Sequence, residues 1–227
     1  MKLLAVETAT HACSAALFID GHIEQRFAIA PQQHTKLILP MIDELMALAQ
    51  LKPQHLDGLA FGCGPGSFTG LRIATGIIQG IAFGADLPVV PVSTLAALAQ
   101  AYFNQHDPTL AFTAMDARMG EIFWGVYEKD ATGYARLLGN EAVLPAPAIV
   151  FPARLGVGIG SAWAVYQTIL TEKLGSLLQS VRADALPEAA MIAQLGVRGL
   201  QNKQGVSAEQ ASPVYLRDKV AKKESER

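Results

Sequence analysis

The side chains best suited to chemistry in this chain of 227 residues are five histidines, two cysteines, a few hydroxyls and two acids that close apolar runs. The histidines are His11, His22, His34, His55 and His106. No two of them stand three to five residues apart, so no pair shares a helix face on one zinc ion, and no metal site is expected. His34 falls near a helix start, as a surface or capping group. His11 and Cys13, two apart on a strand, would point to one face and sketch a Cys–His pair. Neighbouring strand positions rarely make a catalytic pair, and the apolar run around Cys13 fits a small buried thiol better. Cys63, between Gly62 and Gly64, is expected at an exposed loop mouth, with no base assigned to it. Ser67 lacks the Gly-x-Ser-x-Gly frame. No catalytic residue is expected.

Phosphate chemistry is the next candidate. The stretch FGCGPGSFTG (61–70) is rich in glycine and opens a helix. No Gly-Lys-Ser/Thr follows, so it is not a P-loop. The spacing of Gly62, Gly64, Gly66 and Gly70 misses the dinucleotide fingerprint. A helix start still attracts an anion through free N–H groups and the dipole. Glu7-Thr8-Ala9-Thr10 is a second candidate turn, with hydroxyls but no glycine. A nucleotide or anion would therefore touch Glu7, Thr8, Thr10, Gly64, Gly66, Ser67 and Asp116. A purely structural loop accounts for the same residues.

The helix after the loop carries a clearer pattern. Gly76, Gly80 and Gly84 fall four apart and share one stripe. Each interior glycine costs roughly 1 kcal/mol relative to alanine. The usual compensation is close approach of another backbone, a geometry best known from membrane helices. Two readings stand: the helix lies tight on its own sheet, or it docks on another helix across a subunit boundary. Phe68 at the loop tip, with Ile73, Ile77 and Ile81 on an adjoining stripe, would add apolar contact area.

The elements that must position these residues repeat. LLAVE (3–7) is a strand ending in an acid, and ACSAALFID (12–20) and HIEQRFAIA (22–30) form a hairpin around Asp20-Gly21. A helix from about His34 to Gln50 places Leu37, Met41, Leu45 and Leu48 on one face, with a kink or late start expected at Pro40. LDGLAFG (56–62) is a strand, followed by the glycine loop and its helix. LPVVPV (87–92) is a strand, and Ser93 caps a helix to Phe103. A second pass begins at Pro108, with strands at 109–116, 120–130 and 134–139. A strand at 154–160 follows, then a helix over 162–174 capped by Ser161 and one over 187–201. Glu7 and Asp116 occupy matching places. The pattern predicts two similar α/β domains of mixed sheet and flanking helices, residues 1–105 and 106–216, with a charged tail at 217–227.

Composition narrows the class. The chain is 51% apolar and 17% charged, with a net charge of −2. That is enough for one large core or two small ones, and the apolar excess suits a surface covered by a partner. A protein that grips nucleic acid alone usually shows a basic face. The one concentration of positive charge is the tail, where it is mixed with acids. The apolar run 71–84 is short for a bilayer, no cleavage site follows Met1-Lys2, and two cysteines make no disulfide framework. The expected compartment is the cytoplasm, with no membrane contact.

GPGSFTGLRIATGIIQG (64–80), with LLAVETAT, STLAALA (93–99), DARMGEIFWGVY (116–127) and PVYLR (213–217), resembles the bacterial TsaB family, also called YeaZ. The resemblance spans almost the whole chain in order. It implies the duplicated actin-like, sugar-kinase and heat-shock ATPase fold, in agreement with the repeat. It also implies a non-catalytic subunit of the machinery that makes N6-threonylcarbamoyladenosine beside the anticodon of tRNA. Such a subunit pairs with the catalytic TsaD-type paralogue, is joined by the TsaE-type ATPase, and forms homodimers through the same surface when alone. The implied interface is Phe68, Thr69, Arg72, Ile73, Gly76, Ile77, Gly80, Ile81 and Gly84. tRNA is then met only through the complex. No cofactor of its own is implied, with ATP or ADP placed, if anywhere, between the subunits. The metal-binding His-x-x-x-His of the transferase is missing here. Neither Glu7-Thr8-Ala9-Thr10 nor Asp116-Ala117-Arg118-Met119-Gly120 matches the phosphate turns of the fold's ATPases. An ATP-dependent transferase or hydrolase acting alone is the competing expectation.

Overall fold

The computed structural model describes residues 1–107 and 110–217. The expected start of the second pass at Pro108 and strand start at Thr109 lie outside the described residues, as does all of the charged tail except Arg217.

The first sheet has the order β3-β2-β1-β4-β5, built from β1 (Lys2–Glu7), β2 (Ala12–Ile19), β3 (His22–Ile29), β4 (Gly58–Gly64) and β5 (Val89–Ser93). β1 pairs antiparallel with β2 and parallel with β4, and β4 pairs parallel with β5. The second sheet uses β6 (Ala111–Arg118), β7 (Glu121–Lys129), β8 (Ala135–Leu137), β9 (Ala142–Pro145), β10 (Gly156–Ile159) and β11 (Leu178–Arg182). Its order is β11-β10-β6-β7-β8, with β9 added against β7. Read from the other edge, this repeats the first sheet strand for strand, with β6 in the place of β1. Glu7 ends β1 and Asp116 stands two residues before the end of β6, so the two acids lie near the same end of the two central strands. β9 and β11 escape the sequence pattern because each is short and lacks a clean alternation.

The period of two along β1 divides its side chains between two layers. Leu4 and Val6 join Leu17, Ile38, Ile42, Phe61 and Ile78 under α1 (His34–Leu48) and α2 (Phe68–Ala85). Leu3 and Ala5 face the other way, toward Ala60, Val90, Ile192 and Val197. Those last two belong to the C-terminal helix, α6 (Ala189–Gln201), which packs on β1, β2 and β4. The reverse trade is made by α3 (Thr94–Phe103): Leu95, Leu98 and Phe103 pack on Ala111, Met115 and Ile159 of the second sheet. A cut at residue 105 thus separates the sheets but not the helices that cover them. Trp163, on α4 (Ala162–Val165), fills the second core with Phe112 and Trp124, and Leu170 of α5 (Gln167–Leu174) joins it.

Several local expectations change. α1 begins at His34 and continues past Pro40, so it has no late start, and its buried face is His34, Ile38, Ile42, Leu45 and Met46. Leu48 is exposed, so the face is rotated by about one residue from the expected stripe. The helix expected over 162–174 breaks at Tyr166 into α4 and α5. Ser161 makes no side-chain cap there; its Oγ accepts from Asp116 N instead. Ser93 does cap α3, accepting from Leu95 N and Ala96 N. At 18 residues α2 is longer than expected, and by length and composition alone it reaches bilayer-spanning range. Here it lies along the first sheet, burying Leu71, Ala74, Ile78 and Ala82 against it.

The grip of α6 on the first sheet rests on missing side chains. A Cβ at Gly196 would sit 2.5 Å from the Ala60 Cβ. Gly196→Ala should destabilise the chain by about 1–3 kcal/mol, the usual cost of overpacking. Urea unfolding of the variant measures it.

Candidate functional site

The glycine loop is built by close backbone approach. The segment Glu7–Ala9 leaves β1, and the loop after β4 lies directly on it. A Cβ at Gly62 would fall 1.8 Å from Glu7 Oε2, one at Gly66 would fall 2.6 Å from Ala9 Cβ, and one at Gly70 would fall 1.9 Å from the Thr8 carbonyl oxygen. Thr8 Oγ1 donates to the Gly70 carbonyl at 2.7 Å, and Ser67 N donates to the Ala9 carbonyl at 2.7 Å. Ser67 Oγ in turn accepts from Gly70 N at 3.4 Å, a long N-cap contact. The helix start therefore spends two of its N–H groups inside the protein.

Around this loop the two sheets leave a cleft of about 1100 Å³. Thr10, Gly66, Ser67 and Asp116 line it, together with Met115, Met119 and Val165 from the second unit. Glu7, Thr8 and Gly64 do not reach its wall. Glu7 and Thr8 are buried, because the loop that was expected to share a ligand with them is packed on top of them. Asp116 Oδ1 accepts from Arg118 N at 2.9 Å, and its Oδ2 lies 3.3 Å from Arg118 Nη1. The carboxylate thus braces its own turn. Among the described residues no three His, Cys, Asp or Glu side chains gather to hold a metal ion.

Beneath the cleft floor lies a group of titratable side chains. Burial raises Glu7 from 4.5 to about 7, against hydrogen bonds from the Ala9 and Thr8 N–H groups that lower it. Its Oε2 has no partner. Cys63 is buried and not exposed as expected; burial, then the charges of Glu141 and Glu7, push its thiol up to about 12. Burial and Glu7 push Cys13 to about 11. His11 lies exposed at the cleft while Cys13 is in the core, so they form no pair. Both thiols are poor nucleophiles. His34 is buried with Nε2 3.1 Å from the Ala12 carbonyl, and so is a structural group rather than a surface one. Glu141 accepts from Ser93 Oγ and Tyr127 Oη and is raised by burial. That triad, with Tyr127 buried and Ser93 and Glu141 half-buried, joins the two units, and no residue pattern announces it.

The long face of α2 points away from the cleft floor. Gly76, Gly80 and Gly84 are exposed, and a Cβ at any of them meets nothing within 4 Å. The helix does not lie on its sheet through this stripe. Phe68, Thr69 and Arg72 are exposed at its N-terminal end, with the Arg72 guanidinium carbon 3.8 Å from the Phe68 ring centroid. Ile73, Ile77 and Ile81 are half-buried and partly committed to the first core. Phe83, 78% exposed, completes the face and is absent from the sequence expectation. Its place three residues after Gly80 and seven after Gly76 was the available signal.

Comparison with known proteins bears on this geometry. Residues 28–225 match the family model described as TsaD, tRNA N6-adenosine threonylcarbamoyltransferase. The tRNA threonylcarbamoyladenosine biosynthesis protein TsaB of Escherichia coli is 38% identical over 231 residues, covering 97% of this chain and 96% of the relative. The protein of the same description from Haemophilus influenzae is 39% identical, with 97% and 95% covered. Among solved structures, YeaZ from Pseudomonas aeruginosa superposes with a TM-score of 0.88 at 39% identity, over 95% of this chain and 99% of that one.

The buried acid makes a pH prediction. The folded chain holds a proton on Glu7 that the unfolded chain releases at lower pH. The stability this gives is complete below about 4.5 and is lost as pH rises through about 7. Glu7→Gln should remove that dependence, so the variant gains on the order of 3 kcal/mol relative to the parent between pH 4 and pH 8. Denaturant titrations at the two pH values check it.

Proposed function

This chain belongs to the TsaB family and has its duplicated actin-like fold, and from that premise we propose that it serves as a non-catalytic subunit. It binds the TsaD-type paralogue and raises that enzyme's formation of N6-threonylcarbamoyladenosine beside the tRNA anticodon. The observation that carries the reading is the open glycine stripe of α2. Interior glycines cost roughly 1 kcal/mol each. Those of the loop are explained by atoms that a Cβ would strike, whereas nothing among the described residues accounts for Gly76, Gly80 or Gly84. A partner backbone drawn close along the stripe accounts for all three. Phe68, Arg72 and Phe83 are side chains of the kinds that anchor interfaces. In this reading the free chain self-associates through the same face. The TsaE-type ATPase joins the pair in the cytoplasm, tRNA is reached through the assembled complex, and ATP or ADP sits between subunits.

Gly80→Arg tests this, since the open space leaves the fold intact while a long charged side chain blocks the face. The variant should keep its circular dichroism and lose pairing and stimulation in a reconstituted reaction. Complex formation unchanged by light scattering would sink the proposal. Gly80→Ala separates the two demands on the stripe. It should raise the melting temperature of the isolated chain by about 2–4 °C and still weaken pairing.

A second reading, a transferase or hydrolase that works alone on ATP, draws on the cleft between the units and on Thr10, Ser67 and Asp116 in its wall. Calorimetric titration of the isolated chain with Mg-ATP distinguishes it. The subunit reading expects no tight binding and no turnover; tight binding with turnover would replace it.

A further inference from the structure

After its last helix the chain returns to the cleft as an extended strap, residues 212–217. Val214 N donates to the Cys63 carbonyl at 2.7 Å, and the Val214 carbonyl oxygen lies 2.7 Å from where a Cβ on Gly64 would stand. The Tyr215 ring lies 5.5 Å from that of Phe68, tilted by 36°. Tyr215 Oη accepts from Arg72 Nε at 3.3 Å. These contacts fasten one end of the strap to the first unit. Two residues on, Arg217 pairs with Glu121 and donates to the Arg118 carbonyl at 3.4 Å, which fastens the other end to the second.

The hairpin it grips is a strained one. Arg118 and Met119 have φ of 64° and 58°, in the left-handed region that side chains resist, and Gly120 follows at 80°. The hold on the Arg118 carbonyl and the Asp116 carboxylate on its N–H together restrain that turn.

The other ties between the units lie elsewhere. Among the described residues, the remaining side-chain hydrogen bonds and ion pairs between residues 110–182, which carry the second sheet, and the rest of the chain come from α3 through Ser93 and Gln100, from the connection after it through His106 and Asp107, and from α6 through Arg198. The cleft mouth is bridged by the strap.

We propose that Val214–Arg217 is a latch that fixes the opening of the cleft and orders the Phe68–Arg72 end of α2. Its first half is independent of the subunit reading; its second half rests on it, since Phe68 and Arg72 head the proposed docking face. Packing Tyr215 against that pair restricts two long side chains before a partner arrives, which lowers the entropy lost on docking. The cleft and the docking face thereby share one set of contacts.

Spin labels at Thr35→Cys and Val165→Cys, on the two walls of the cleft, report its opening; native Cys13 and Cys63 are buried and stay unlabelled. The labelled chain should give one narrow distance distribution. Tyr215→Ala, Arg217→Glu and Glu121→Arg should each broaden it and lengthen its mean, and the exchanged pair Arg217→Glu with Glu121→Arg should restore it. Distributions that stay narrow in the single variants would overturn the latch. For the second half, Tyr215→Ala should weaken pairing with the TsaD-type protein about tenfold, the loss expected when two freed side chains must be ordered on docking. Pairing unchanged while the labels respond would leave the latch in place and overturn its link to the docking face. A parent chain that does not pair at all would overturn the subunit reading instead.

Discussion

The structure depends on one close approach: the loop after β4 lies on the chain leaving β1, at a separation no side chain permits. Gly62, Gly66 and Gly70 face Glu7, Ala9 and Thr8 at distances where a Cβ would collide. This contact fixes where α2 begins and which way it points. It closes the helix start with protein groups, seals Glu7 beneath the loop, and leaves Thr10, Ser67 and Asp116 among the polar groups of the cleft wall. Burial of the Glu7 carboxyl follows from the same contact. Its raised pKa is therefore a property of the loop as much as of the residue.

Glycines in this chain fall into two kinds, and the contrast organises the functional reading. Those of the loop are needed by their own neighbours. Those on the outer face of α2 meet open space. An interior helical glycine that no internal atom requires weakens the helix for no return within the subunit. That asymmetry separates a structural requirement from an external one, and exposure of apolar area alone does not, since single exposed apolar side chains are ordinary.

The two units hold each other by exchange. α3 leaves the first half to cover the second sheet, and α6 leaves the second half to cover the first. The half-buried Ser93–Tyr127–Glu141 triad and the Arg198–Asp130 pair lie along this seam. Burial alone would push Asp130 up, but hydrogen bonds from Arg198 and Thr132 and from backbone N–H groups hold it well below the usual carboxylate range. A chain so interleaved cannot be divided into separately folding halves at one point, even though its topology repeats cleanly.

Much of this was legible in the residues. Apolar runs and the Asp20-Gly21 turn located β1, β2, β3, β4 and β6, the Ser93 cap placed α3, and the four-residue spacing of glycines marked one face of α2. Those signals are local: strand and helix periods, turn residues and caps act within a few positions. Tertiary structure decided the rest. Whether the glycine stripe turned inward or outward, which sheet α6 would cover, that Cys63 and His34 are buried, that Glu7 lies under the loop rather than in the cleft, and that Tyr215 and Arg217 span the mouth all depend on contacts between residues far apart in the chain. A period names a helical face but not what lies opposite it. Only the packed layers supply that, because the neighbour is set by the volume the whole chain must fill.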